Sequence, residues 1–241
     1  MPTASLLIIG NEILSGRTAD KNLQYLALKL EEKGVRLQEV RVVRDVEADI
    51  ITAVNTLRTQ YDTVFTSGGI GPTHDDITTA AIAKAFGVAL HQHPDALAAL
   101  QAYYKPADLN AARLKMVLLP VGATLIPNPL SNAPGFQLEN VAVMAGVPRI
   151  FQAMVDFLVP TLITGDVIHS KTITTQHPEG TIAAFLEELE LATTGLSIGS
   201  YPFFTETGRG TNVVLRSTVL SDVEAAGGAL EAYLEGLGGK G

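Results

Sequence analysis

The chain opens with an apolar run at residues 6–9 closed by Gly10, the pattern of a strand buried on both faces of a parallel sheet. From residue 22 the period changes. Leu23, Leu26, Ala27 and Leu30 recur at three- and four-residue spacing with charges between them, which predicts a helix over 22–33 stopped by Gly34. Alternation predicts a strand over 35–43, a helical period follows over 47–57, and a short strand at 62–66 runs into glycines. This succession is βαβαβ, and right-handed crossovers would put its helices on both faces of one sheet. A further helix over 77–86 ends at Gly87. Residues 94–115 read as mostly helical with a break at Pro106, and Tyr103 and Tyr104 there suit either a core or a lid. Strands at 124–126 and 141–144 flank a loop at 127–135, and a helix over 148–163 begins with proline in its permitted first turn.

Thr164-Gly165-Asp166 marks a boundary between an α/β domain, 1–165, and a small second domain, 166–241. The second reads as a strand at 171–175, a helix at 178–189, strands at 196–201 and 212–217, and a helix at 222–234. That βαββα order describes an α+β unit of about half the usual domain size. The Gly-rich end at 236–241 predicts fraying.

Composition narrows the function. A formal net charge of −8 with no Lys/Arg cluster excludes a nucleic-acid footprint, which depends on clustered cations neutralising phosphates. With no cysteine, disulfides, thiolate metal sites and cysteine nucleophiles are excluded together. The first apolar run is too short for a membrane span and lacks a basic lead-in, so a soluble, uncleaved, cytoplasmic protein with no membrane partner is expected.

Ser67-Gly68-Gly69-Ile70-Gly71-Pro72-Thr73-His74-Asp75-Asp76-Ile77-Thr78 carries the strongest chemical signal, because it joins a glycine turn to adjacent carboxylates at a strand-to-helix junction. Backbone N–H groups approach an anion closely where no Cβ intervenes. Ionised Asp75 and Asp76 would repel a phosphate unless a cation lay between, so a divalent metal is implied. Equally, either aspartate could cap the following helix. The string lacks the Lys-Ser/Thr pair of a P-loop and the G-x-G-x-x-G spacing of a dinucleotide fold. Glu12 and Asp20 follow the first strand and Arg44-Asp45 the second, at the carboxyl ends where open α/β sheets bind ligands. Asp20 and Asp45 also suit helix caps. Residues 128–136 and Gly146-Val147-Pro148-Arg149 could close over the same crevice, with Arg149 meeting a phosphate. His91 and His93 have no third ligand in the sequence pattern, His74 suits either a phosphate contact or solvent, and no serine sits in a nucleophile elbow.

Taken together, segments 10–22, 68–78, 128–136 and 145–148 resemble, in order and spacing, the N-terminal region of the CinA family. Within the molybdopterin-binding, MogA/MoaB-like domains, that family carries the Gly-Gly-x-Gly-x-x-x-x-Asp-x-Thr signature in its Gly-Pro-Thr-x-Asp-Asp form. The resemblance is close over about residues 4–165. The tail, notably Gly199-Ser200-Tyr201-Pro202-Phe203, is similar to the family's small second domain, and no residues remain for its amidohydrolase domain, so no deamidase activity is expected. The resemblance implies an α/β fold, a three-layer α/β/α sandwich followed by a small α+β domain, and a dimer or trimer. It implies either metal-dependent hydrolysis of ADP-ribose or a related nucleotide diphosphate, or binding of molybdopterin without such activity. A catalytically silent oligomeric scaffold is the third expectation. Carried over by residue, Asp75 and Asp76 would be catalytic. With Glu12 they would hold Mg²⁺, Mn²⁺ or Co²⁺, while Gly68, Gly69, Gly71, Thr73, Thr78, Asn132, Gly135 and Gly146 would line the phosphate-bearing ligand. The chain departs from the family at Ala145, where proline is usual, and at Arg149-Ile150-Phe151, which replaces a polar residue, glutamate and methionine.

Overall fold

The computed structural model describes residues 1–131, 133–205 and 208–238, which fall into two compact units, Met1–Gly165 and Asp166–Gly241. The strands of the first are β1 (Thr3–Ile9), β2 (Arg36–Val43), β3 (Thr63–Ser67), β4 (Leu90–Gln92), β5 (Leu118–Pro120), β6 (Thr124–Ile126), β7 (Gly135–Leu138) and β8 (Val141–Met144). Its helices are α1 (Asn11–Leu14), α2 (Asn22–Glu31), α3 (Glu47–Gln60), α4 (Thr78–Phe86), α5 (Pro94–Tyr103), α6 (Ala111–Lys115) and α7 (Pro148–Leu158). Among the described residues, six strands form one sheet in the order β2-β1-β3-β8-β7-β6.

Strand β1 shows why this sheet lies between two helical layers. Its side chains alternate, so Leu7 and Ile9 pack with Ile50, Val54 and Leu57 of α3, Ile82 of α4 and Leu100 of α5. Ala4, Leu6 and Ile8 pack on the other face with Leu26 and Leu30 of α2 and Phe151, Met154 and Val155 of α7. Each fully buried leucine or isoleucine there contributes about 1.5–3 kcal/mol. The result is a three-layer α/β/α sandwich.

Several features differ from the sequence expectation. The sheet is mixed, because β7 runs antiparallel to both β8 and β6. Strand β7 begins at the end of the expected loop; its buried Phe136 and Leu138 alternate over too few residues to register as a period. The helix expected over 148–163 ends at Leu158 and passes into a 3₁₀ turn, Val159–Thr161, because Pro160 has no N–H with which to continue the ladder. The single turn α1 and the antiparallel pair β4–β5 are too short to show periodicity.

The second unit contains β9 (His169–Thr175), α8 (Glu179–Ala192), β10 (Ser197–Thr205), β11 (Gly208–Ser217) and α9 (Leu220–Gly238). Its strands form an antiparallel sheet in the order β10-β11-β9. Ile173, Val213 and Leu215 pack there on Ile182, Leu186, Val223 and Leu230, and the Phe185 and Tyr233 rings stack at 4.0 Å. Helix α9 continues through Gly236 to Gly238, where the sequence predicts fraying. Among the described residues no helix is long and apolar enough to cross a membrane.

Candidate functional site

Strands β1, β3 and β8 are mutually parallel neighbours, so Gly10, Gly68 and Ala145 leave the sheet on one edge. The chain reaches β2 on one side of β1 and then β3 on the other, which makes this edge a topological switch point. A cleft of about 660 Å³ lies there. Of the site residues expected from sequence, Glu12, Gly68, Gly69, Gly71, Asp76 and Gly146 line it, whereas Thr73, Asp75, Thr78 and Gly135 do not. Asn132 lies outside the described residues.

The glycine loop is fixed by contacts that only glycine permits. Gly68 has φ of 111°, and a Cβ there would lie 2.2 Å from the Ile9 carbonyl oxygen. Gly69 has φ of 70°, and its Cβ would meet Thr78 Oγ1 at 2.1 Å. Thr78 is fully buried, with its hydroxyl donating to the Gly68 carbonyl at 3.0 Å and its N–H to the Gly69 carbonyl at 3.0 Å. It therefore holds the loop from below rather than lining the cleft, where the sequence pattern places it. Buried Asn22 does the same from α2, donating through Nδ2 to Ser67 Oγ at 2.8 Å and to the Gly146 carbonyl at 2.9 Å. Gly135 is also a packing position: a Cβ would strike the Val143 carbonyl oxygen at 2.5 Å.

The two aspartates separate in role. Asp76 lines the cleft, and its Oδ2 accepts from the Thr73 N–H at 2.8 Å and from the Thr73 hydroxyl. Asp75 accepts from the Thr73 hydroxyl at 2.6 Å. A hydroxyl has one proton, so Thr73 donates to one of these carboxylates at a time. Lys115 closes the same turn, donating to the carbonyls of Thr73 at 2.8 Å and Asp76 at 2.7 Å.

The Thr73 hydrogen bond holds Asp75 below the usual carboxylate range, with its own backbone N–H, His74 and Lys115 contributing. Because the folded value is depressed, the interaction favours the folded state at neutral pH and fades as pH falls through that value. Thr73→Val should therefore raise the Asp75 pKa toward its ordinary value, shifting its carboxyl NMR titration to higher pH. An unchanged titration would assign the depression to another group.

Glu12 lies on α1 and is exposed to the cleft. Its carboxylate folds back over Gly10, where a Cβ would stand 2.6 Å from Glu12 Oε1. Asp45 Oδ2 accepts from the Asn11 N–H at 2.7 Å, so this carboxylate anchors the turn that carries Glu12. Asp20 Oδ1 accepts from the N–H groups of Asn22 and Leu23 at 3.1 and 2.8 Å and thereby caps the first turn of α2. Arg44 pairs with Asp49 at 2.7 Å, away from the cleft. Among the described residues no three His, Asp or Glu side chains cluster as a metal site. Glu12 and Asp76 are the two described carboxylates that line the cleft.

Asn128 organises the neighbouring loop, donating to Ser131 Oγ and the Ala133 carbonyl while accepting from the N–H groups of Leu130 and Ser131. Ala145 and Ile150 line the cleft, Phe151 is fully buried in the core, and Arg149 is exposed outside it. Sequence reasoning left Tyr104 undecided and missed Arg113 and Lys115. Tyr104 and Arg113 line the cleft, with the guanidinium carbon 4.2 Å from the ring centroid. The available signal was two cations near the end of a helical segment in an acidic chain.

Both units are similar to known proteins. A family described as a probable molybdopterin binding domain matches residues 5–164, and one described as the FAD synthase middle domain matches residues 167–237. A protein of Pyrobaculum calidifontis is 34% identical over 213 residues, covering 84% of this chain and 81% of its own. A CinA-like protein of Syntrophus aciditrophicus is 33% identical over 214 residues, covering 83% of this chain and 51% of its own. The crystal structure of CinA from Thermoplasma acidophilum, described as of unknown function, superposes with a TM-score of 0.61 at 36% identity, covering 64% of this chain and 94% of that one.

Proposed function

Because this chain belongs to the CinA-like proteins built on the molybdopterin-binding domain, we propose that it is a cytoplasmic, metal-dependent hydrolase of ADP-ribose or a related nucleotide diphosphate. The observation that carries this reading is the presence of Asp76 and Glu12 in one cleft with Gly68, Gly69 and Gly71, residues that bring no side chain of their own to its wall. Asp76 and Glu12 would hold the divalent ion. When bound, it supplies charge neutralisation and lowers the pKa of attacking water. The Gly68 N–H is taken by the Met144 carbonyl at 3.1 Å, so the N–H groups of Gly69 and Gly71 are the ones that would face the phosphoryl oxygens and stabilise charge that grows in the transition state. Thr73 and Lys115 keep the Asp76 turn rigid, so little reorganisation is needed as the reaction proceeds.

Incubation of the protein with ADP-ribose, FAD and NAD, each with and without Mg²⁺, Mn²⁺ or Co²⁺, tests this directly. AMP should appear only with metal. Ile150 favours a second reading: it brings an apolar side chain to the cleft where the family pattern has glutamate. On that reading the cleft binds the phosphate of molybdopterin without cleaving a diphosphate. Calorimetric binding of molybdopterin together with no AMP from any substrate would select it.

A further inference from the structure

The cleft has a wall that the chemistry of phosphate and metal does not use. Tyr104 and Arg113 line it, and their side chains are fixed against each other before any ligand arrives. Tyr103 meets Tyr104 edge to face, with centroids 4.9 Å apart and planes at 86°. Asn110 Oδ1 caps α6 by accepting from the Arg113 N–H at 3.0 Å, and the Arg113 guanidinium donates to the Asp108 carbonyl. A guanidinium held on one side by a carbonyl and on one face by a tyrosine ring is a flat, rigid cation. Among the described residues that line the cleft, it is the one positive side chain.

Such a surface matches a planar nitrogen heterocycle. Guanidinium and phenol faces both stack on planar aromatic rings, and little side-chain entropy remains to be lost when they do. A cleft of about 660 Å³ also lies within the range that encloses a whole organic ligand. We propose that Tyr104 and Arg113 form a stacking subsite that selects ligands in which a diphosphate is joined to a planar nitrogen heterocycle, a purine or a pterin. This rests on the reading of the cleft as a diphosphate site and adds the group that the diphosphate carries.

Calorimetry with Mg²⁺ and three probes tests it: ADP, 6-hydroxymethylpterin diphosphate and inorganic pyrophosphate. The wild-type protein should bind at least one ring-bearing probe roughly tenfold or more tighter than pyrophosphate, the scale of a single base–aromatic stack. Tyr104→Leu and Arg113→Gln, checked for native circular dichroism, should each remove most of that advantage while leaving pyrophosphate within about twofold. Whether ADP or the pterin shows the advantage identifies the heterocycle. Equal weakening of all three probes by Arg113→Gln would make it a phosphate ligand and overturn the subsite, as would unchanged ring binding in both variants. Pyrophosphate bound as tightly as either ring-bearing probe would also overturn it while leaving the diphosphate site standing. Binding of none of the three would remove both. Since binding alone is read, the outcome does not depend on whether ADP-ribose is cleaved.

Discussion

Asp76→Asn should lower metal-dependent AMP release by on the order of 10²–10³-fold while leaving the fold intact, because a metal-held phosphate draws several kcal/mol of transition-state stabilisation from the ion's carboxylates. The asparagine carbonyl can still accept from the Thr73 N–H and hydroxyl, which now bond to Asp76 Oδ2, so the turn keeps its shape and loses only the charge. Asp76→Ala should be equally inactive and additionally less stable by about 1–2 kcal/mol, the usual cost of losing a carboxylate that bonds a nearby backbone N–H. Steady-state rates and urea midpoints of the two variants separate the effects. Near-normal turnover in Asp76→Asn would remove the carboxylate from the mechanism, whatever the stability result.

Gly68→Ala should destabilise the first unit by roughly 3–5 kcal/mol, combining a backbone at φ of 111° with a methyl group 2.2 Å from the Ile9 carbonyl oxygen. Neither strain can relax cheaply. The clash is with the backbone of β1, which is hydrogen-bonded on both sides, to β2 and to β3. At Gly71 the nearest atom to an added Cβ is Asp76 Oδ2 at 2.7 Å, the end of a side chain that can move. The two glycines therefore do different work. Gly68 closes the sheet edge, and Gly71 leaves room for the carboxylate. A urea midpoint for Gly68→Ala within about 1 kcal/mol of wild type would mean that the loop has slack its contacts do not show.

Much of this architecture can be read from the chain because its cause is local. The alternation of Leu6 to Ile9, the three- and four-residue spacing on α2 and the stop at Gly34 are each set by neighbours in sequence. So is the concentration of glycine and aspartate at 68–76, since close approach to an anion and a tight turn need those residue types next to one another. What sequence reading could not supply is the pairing of distant parts. Thr78 reads as a ligand contact in the motif, yet its hydroxyl faces down onto the Gly68 carbonyl once α4 is seated. Asn22 looks like an ordinary helix start but bridges the ends of β3 and β8 across 45 and 124 residues. Gly135 reads as loop and proves to be the point where β7 passes the β8 backbone. Tyr104 and Arg113 belong to a segment whose period is broken by Pro106. Only the folded chain brings their side chains to the edge where β1, β3 and β8 end.

On the proposed reading, the cleft bounded by the glycine loop, Asp76 and Glu12 cleaves a nucleotide diphosphate with the help of a divalent ion. The most direct test of that reading is the rate of AMP release from ADP-ribose by the wild-type protein as Mg²⁺, Mn²⁺ or Co²⁺ is raised from fully chelated to millimolar levels. The expected result is no AMP under chelation and a saturable rise with at least one metal, abolished by Asp76→Asn. A trace that stays flat for the folded wild-type protein at every concentration of all three metals would contradict it.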